Sequence, residues 1–541
     1  MEILSSSLGD TSCSVLFHIL VAQQMRLLVA FAVFAAVATV GIVKSSPTVS
    51  YTVNIHDDKS DPIPSDFASF SLEVPCLPKM ITYEDPTTGV RSPRQSYINI
   101  IDQLRLAAKG ARGPNIRIGG NSADQTIFSV LPNTSIPTGD NNVVTLDDIL
   151  SYGLVKKWNG TIVIGINLRN GRDPRNSVEY ATSALTLLDP ELIEAFEIGN
   201  EPDLFSNNGI RPEHPIYDYN RYLPQFIRYV DALREQSVPM PRIQGATVAT
   251  EAWNNQLLNY TVNFTTPGPI GSYTQNVLRT VSHHFYPMPS ATATIKQLLD
   301  HQSAYNPAWL FKDLAKASKD RGIPFVIGEG NSAFDGGRYG VSNTFASTIW
   351  GIDVMFWSAS ADIKRWNFHG CPDGAYTPLA TQGTPYVDAR PLFYGMWAFS
   401  HAIAAGSRLV DLKVANAGEE THDVVAWATR TDSWPNATEG NHRLCLTVLL
   451  STTNSTYDAI DVSFALGSEL ASKAANIRVL APQSRMLNAT DGIYFGGLTF
   501  DNTTTGLPSG TPDVQTKMVD SSGKLDLTIE FSAILVVDIF W

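Results

Sequence analysis

Phe196-Glu197-Ile198-Gly199-Asn200-Glu201-Pro202-Asp203 and Phe325-Val326-Ile327-Gly328-Glu329-Gly330-Asn331-Ser332 are two short apolar runs, each broken by glycine and followed closely by a glutamate. A short apolar run bounded by turn residues reads as a strand buried on both faces. Similar runs recur at 67–74, 115–119, 162–168, 195–199, 242–249, 281–285, 325–328 and 354–367. Helical candidates at 97–109, 177–188, 217–235, 294–302, 308–318 and 343–349 lie among them. Strands alternating with helices imply parallel strands and crossover helices, and eight such units close a (β/α)8 TIM barrel, here over 61–404. The C-terminal strand ends of such a barrel meet at one mouth. Glu201 after the fourth strand and Glu329 after the seventh therefore face a common site despite their separation in sequence.

Past 405 the rhythm changes to strands and turns, at 408–414, 422–428, 443–450, 460–464, 476–480 and 525–540. This reads as an antiparallel β-sandwich domain over 405–541. A first strand at 48–55, within the segment 45–60, is expected to pair back into that sandwich. No repeat at solenoid spacing is visible.

With 39 Lys+Arg against 52 Asp+Glu, the 541 residues carry a formal charge of −13. No run of basic residues offsets this, which argues against a nucleic-acid partner. His283-His284 is a histidine pair, but a metal site needs further ligands in matching geometry, and the pair reads as structural or sugar-contacting. No metal or organic cofactor is implied.

The apolar run 27–43 follows Met25-Arg26, is rich in small residues near its end, and is short for a bilayer span of about 20 residues. Residues 1–44 therefore read as an N-terminal extension with a signal peptide, the alternative being a membrane anchor, so the protein is expected to be secreted or cell-surface. Sequons at Asn133, Asn159, Asn259, Asn263, Asn436, Asn454, Asn488 and Asn502 agree with that route. Cys13 falls in the targeting region, leaving Cys76, Cys371 and Cys445, an odd number that suggests one disulfide and one free thiol.

Glycoside cleavage needs one acid to protonate the leaving oxygen and one carboxylate to attack or to activate water. Either glutamate alone also reads as a carboxylate capping the following helix. Together, the Asn-Glu-Pro after strand four and the Glu after strand seven resemble the clan of retaining barrel glycosidases. The resemblance makes Glu201 the general acid/base, Glu329 the nucleophile, and Asn200 a ligand of the sugar 2-hydroxyl. Retention requires carboxyl groups about 5–5.5 Å apart.

Arg117-Ile118-Gly119-Gly120-Asn121-Ser122-Ala123-Asp124, 196–205, His283-His284-Phe285-Tyr286 and 328–337 together resemble glycoside hydrolase family 79, the β-glucuronidases and heparanase, over about 47–541. The resemblance implies a retaining β-glucuronidase with a barrel and a sandwich that takes up an N-terminal strand. It implies sugar contacts from Asp124 and Asn121, the former reading equally as a helix N-cap, and a hydrogen bond from Tyr286 to Glu329. It also implies that the uronate carboxylate meets backbone N–H groups of Gly336 and Gly337 and the hydroxyl of Tyr376, with Arg338 a less favoured cation. Phe334 departs from the family, which commonly has Tyr there; a phenyl ring donates no hydrogen bond. Strand eight neighbours strand one in a closed barrel, so Cys76 and Cys371 are expected to pair and Cys445 to be free.

The favoured activity is exo-removal of terminal β-linked glucuronate or 4-O-methylglucuronate from a polysaccharide or glycoconjugate. A heparanase-like endo-β-glucuronidase, a retaining glycosidase for a neutral sugar, and a non-catalytic carbohydrate-binding barrel are the alternatives. The partner is a carbohydrate in each case.

Overall fold

A computed structural model describes residues 48–131, 142–169, 173–207, 217–253, 276–381, 383–415, 423–435, 440–453 and 458–541. The segment 1–44, read above as a signal peptide or anchor, and the sequons at Asn133, Asn259, Asn263, Asn436 and Asn454 lie outside them. Asn159, Asn488 and Asn502 are exposed. Residues 48–541 form one compact unit.

Eight parallel strands close a barrel: Ala68–Glu73, Ile116–Gly119, Ile162–Ile166, Ile193–Ile198, Ile243–Val248, Leu278–Phe285, Phe325–Gly330 and Ile363–His369, numbered one to eight below. Strand eight pairs with strand one, Asn367 opposite Ser69. Strand three, Ile-Val-Ile-Gly-Ile, is buried at every residue, as expected of a strand wedged between barrel interior and helices. Helices Gln95–Ala108, Arg175–Leu187, Tyr219–Glu235, His301–Lys319 and Phe345–Ser360 lie between strands. Asp218 opens one by accepting from Arg221 N at 3.1 Å.

Strand eight begins at Ile363, not 354, because 345–360 is a helix. That helix is buried nearly all round, so its sequence shows no 3.6-residue polar face and reads as one apolar run. It packs against Pro391–Ala402, a helix with the same lack of periodicity. The two approach closely at Gly395, where a Cβ would lie 2.8 Å from Thr348 O.

The C-terminal region is a strand-rich, mainly antiparallel sheet. Thr48–Asp58 sits inside it, antiparallel to Arg408–Val414 and parallel to Ala459–Ala465. The run 525–540 is two strands, Lys524–Glu530 and Ile534–Phe540, separated by a turn with Ser532 at φ 56°. The first alternates buried and exposed residues while the second is buried almost throughout, so the two periods merge in the sequence.

One core of this sheet gathers Val49, Tyr51, Leu446, Phe464, Leu527 and Val537. Its other face joins the barrel's core through Cys445, Leu449, Phe495 and Val536. At the junction Asp538 is buried among His401 Nε2 at 2.9 Å, Arg443 Nε at 2.9 Å and Arg478 Nη1 at 2.5 Å. Cys76 and Cys371 form a disulfide with Cα atoms 5.7 Å apart, and Cys445 is a buried free thiol.

Candidate active site

The barrel interior carries charge where its strands are otherwise apolar. Arg117, from strand two, is fully buried. Its Nε donates to Glu197 Oε1 at 2.9 Å, its Nη1 to Glu329 Oε2 at 2.5 Å and Ser71 Oγ at 3.1 Å, and its Nη2 to Asn200 Oδ1 at 2.7 Å and to Glu197 Oε1. Glu197 also accepts from Gln244 Nε2 at 2.7 Å. A buried guanidinium needs such partners, since an isolated buried charge is very costly. Above this layer lies the mouth.

Glu201 lies directly after strand four with left-handed backbone angles, φ 47° and ψ 54°, its N–H held by Thr247 O at 2.9 Å. Such strain in a non-glycine residue persists only when its surroundings impose it, and it clusters at functional sites. Oε1 of Glu201 lies 2.9 Å from His284 Nδ1. Glu329, at the end of strand seven, accepts from the Tyr286 hydroxyl at 2.8 Å through its other oxygen. One donor atom each of Glu201, His284 and Glu329 lies within 4.8 Å of the others, the one group of metal-ligating side chains so close among the described residues.

The two carboxyl groups have opposite proton affinities. Burial, reinforced by the charges of Glu329 and Asp203, holds the Glu201 carboxyl well above the ordinary glutamate range. Burial also opposes charge on Glu329, but it is outweighed by His369, His284 and Arg117 and by the hydrogen bond from Tyr286, so this carboxyl lies far below the ordinary range. His369 has Nδ1 2.9 Å from Ser71 Oγ and 3.6 Å from Glu329 Oε2, and Nε2 3.6 Å from Glu73 Oε1. Burial disfavours its proton, but Glu329 and Glu73 raise its pKa. His284 is pushed down to about 4 by burial and is neutral at mildly acidic pH. His283 points away, its Nδ1 2.7 Å from His284 O and its ring against Phe311.

Asn200 is buried beside Glu201 and donates from Nδ2 to the exposed Asn121 at 3.1 Å. Asp124 does not cap a helix through its side chain. It is 1 % exposed, and its oxygens accept from Leu168 N and Asn200 N, both at 2.7 Å. The carboxylate is spent on bracing the ends of strands three and four.

The loop after strand seven turns through Asp335, Gly336 and Gly337 at φ 58°, 83° and 76°. A Cβ on Gly337 would lie 2.8 Å from Tyr376 Cβ, so glycine lets the two loops meet. Tyr376 N also donates to Gly336 O at 3.4 Å, and its buried ring stacks 6.3 Å from that of Tyr286. Asn331 Nδ2 ties the loops by donating to His369 O at 2.7 Å and Tyr376 O at 3.0 Å. Phe334 is 42 % exposed at the rim. Arg338 spends Nη1 on Ala291 O and Ala293 O, both at 3.0 Å.

Arg117, Glu197, His369, Glu73 and Ser71 are the site residues that sequence reasoning missed. The available signal was a charged residue inside an apolar strand, as in Ile116-Arg117-Ile118 and Phe196-Glu197-Ile198.

The barrel and its paired carboxyl groups are those of a glycoside hydrolase. The cellulase (glycosyl hydrolase family 5) family model matches residues 189–363, which contain both glutamates. A β-glucuronidase of Aspergillus niger is 25% identical over 416 residues, 69% of this chain and 71% of the relative. A β-glucuronidase of Neurospora crassa is 26% identical over 411 residues, 66% and 68% of the two chains. The crystal structure of a 4-O-α-L-rhamnosyl-β-D-glucuronidase from Fusarium oxysporum shares the fold with a TM-score of 0.70 at 19% identity, covering 90% of this chain and 99% of that one. The chain is thus a glycoside hydrolase with β-glucuronidases among its relatives.

Proposed function

We propose that the chain is a retaining exo-β-glucuronidase of the family 79 type. The observation that carries this reading is the pairing of a proton-holding Glu201 with an ionised Glu329, their nearest carboxyl oxygens within 4.8 Å. That proximity supports double displacement rather than inversion, which needs room for a water between carboxyl groups about 6.5–9.5 Å apart.

In the first step a Glu329 oxygen attacks the anomeric carbon as its bond to the aglycone oxygen breaks, and the Glu201 proton passes to that oxygen. In the second, Glu201 as carboxylate takes a proton from water, whose oxygen displaces Glu329 from the sugar. His284 fixes the Glu201 carboxyl. Tyr286, Arg117 and His369 hold negative charge on the attacking group. Asn200 faces the sugar 2-hydroxyl with its remaining amide hydrogen.

The substrate carboxylate is assigned to the Tyr376 hydroxyl and the N–H groups of Gly336 and Gly337. This pocket does without a tyrosine at Phe334. The natural substrate is a terminal β-linked glucuronate or 4-O-methylglucuronate on a polysaccharide or glycoconjugate. The deciding experiment compares initial rates on matched aryl β-glucuronide, β-glucoside and β-galactoside at mildly acidic pH. A strong glucuronide preference supports the assignment; a neutral-sugar preference overturns the uronate pocket and leaves the two-glutamate chemistry. Secretion and glycosylation at the exposed Asn159, Asn488 and Asn502 are part of the same proposal, tested by sequencing the mature N-terminus and by glycosidase-induced mass shifts.

A further inference from the structure

The opposite pole of the barrel holds a second cleft, of about 580 Å³. Its walls come from the segments that lead into the strands: Pro64 and Asp66 before strand one, Arg112 before strand two, Arg279 at the start of strand six, Arg321 before strand seven, and Lys364 and Arg365 at the start of strand eight. Barrel strands rise about 3.3 Å per residue, so this cleft is a strand's length from the catalytic mouth. The basic residues are scattered over more than 250 positions, which is why the sequence shows no basic run.

The charges in the cleft are unevenly spent. Lys364 pairs with Asp61 and Asp362, each at 3.2 Å. Arg365, 5 % exposed, bonds Glu194 Oε2 at 2.8 Å through Nη1 and Asn367 Oδ1 at 3.1 Å through Nε, while Asp66 lies 3.9 Å from Nη1. Its Nη2 is buried without a hydrogen-bond partner among the described residues. Arg112 and Arg279 are exposed at the rim, and neither side chain makes a hydrogen bond or ion pair with a described residue. The cleft acids are Asp66 and Glu194; Arg365 pairs with Glu194, while Arg112 and Arg279 lie within electrostatic reach of Asp66 and Glu194 respectively without forming an ion pair. An excess of positive charge therefore remains on a chain of net −13.

We infer that this cleft is a second binding site, for a short segment of an acidic saccharide, with Arg112 and Arg279 as its carboxylate-binding groups. Planar guanidinium groups suit carboxylates because they donate two parallel hydrogen bonds. The volume falls in the range of about 300–1,000 Å³ typical of small-ligand pockets, which a di- or trisaccharide fills. The negative charge of the rest of the surface repels a long polyanion except where it threads this cleft. The inference rests on the uronate reading of the mouth: a second hold on the same polymer raises the local concentration of its ends at the enzyme.

The test is calorimetric titration of the full chain with α-linked oligogalacturonate, which presents uronates without a β-glucuronide bond. Neutral xylo-oligosaccharide of equal length and sodium sulfate serve as comparison ligands, and the Arg112→Ala/Arg279→Ala chain as comparison protein. The expected result is binding of oligogalacturonate alone, weakened about tenfold in the double variant and by added salt, with an unchanged melting temperature. Equal affinity in both proteins, equal affinity for the neutral oligomer, or sulfate binding that matches the oligomer overturns the inference. Failure of the uronate reading would appear separately, as a neutral-sugar preference in the aryl glycoside rates, which this titration does not touch.

Discussion

Arg117 Nη1 donates to Glu329 Oε2 at 2.5 Å, while the same guanidinium is anchored below by Glu197. The arrangement ties the charge of the site to the integrity of the barrel. Arg117→Ala leaves Glu197 buried and unpaired, so a loss of about 3–5 kcal/mol is expected in denaturant unfolding. An unchanged midpoint would show that the ion pair does not hold the interior together.

The two glutamates are expected to fail differently. Glu329→Gln abolishes turnover on every substrate. Glu201→Gln slows it by about 10²–10⁴-fold for poor leaving groups and much less for activated aryl glycosides, which need no proton. Leaving-group series run on all three proteins check this, and similar rates throughout would refute the assignment.

Stability gives an independent reading of Glu201. Its pKa is raised on folding above an unfolded value of about 4.3, so between these two values the folded chain binds more protons and stability falls as pH rises. Glu201→Gln removes that penalty. It is expected to raise Tm by about 1–3 °C at pH 7, with the gain vanishing below about pH 4. A gain that does not change with pH would point to packing instead.

For Glu329 the sign is reversed, because its charged form is the reactive one and its partners hold the pKa down. Tyr286→Phe removes a hydrogen bond to a charged acceptor, typically about 1.5–3 kcal/mol. The acid limb of the kcat/KM profile is expected to move to higher pH, with at least about a tenfold loss at its plateau. A uniform loss without movement of the limb would make Tyr286 a substrate contact only.

The Cys76–Cys371 bridge closes a loop of 295 residues and anchors the segment that carries Tyr376. Replacing both cysteines by serine is expected to cost about 2–5 kcal/mol. KM for an aryl glucuronide should rise more than kcat falls, because Tyr376 is assigned to binding.

The barrel was legible because its strands are apolar runs with polar residues just past their ends, and Glu201 and Glu329 stand at two of those ends. Phe345–Ser360 was not, since a helix buried on every side has no polar stripe to set its period. Tyr286 and Tyr376 lie where the sequence reading put them, beside Glu329 and the Gly336 loop. The backbone partners of Asp124, Leu168 and Asn200, were not legible because they follow two other strands, far from it in sequence. The Arg117, Glu197 and His369 network was hidden for the same reason: each member comes from a different strand, and no spacing links them.

The strand Thr48–Asp58 lies between Arg408–Val414 and Ala459–Ala465. On the ribosome it emerges before the barrel, yet both its neighbours are made only after the whole barrel. Its alternating apolar side chains must stay unpaired throughout that interval, a hazard of long-range strand pairing. A nascent chain halted before Arg408 therefore carries a barrel with an orphan strand, and release from chaperones should coincide with synthesis of the last quarter of the protein.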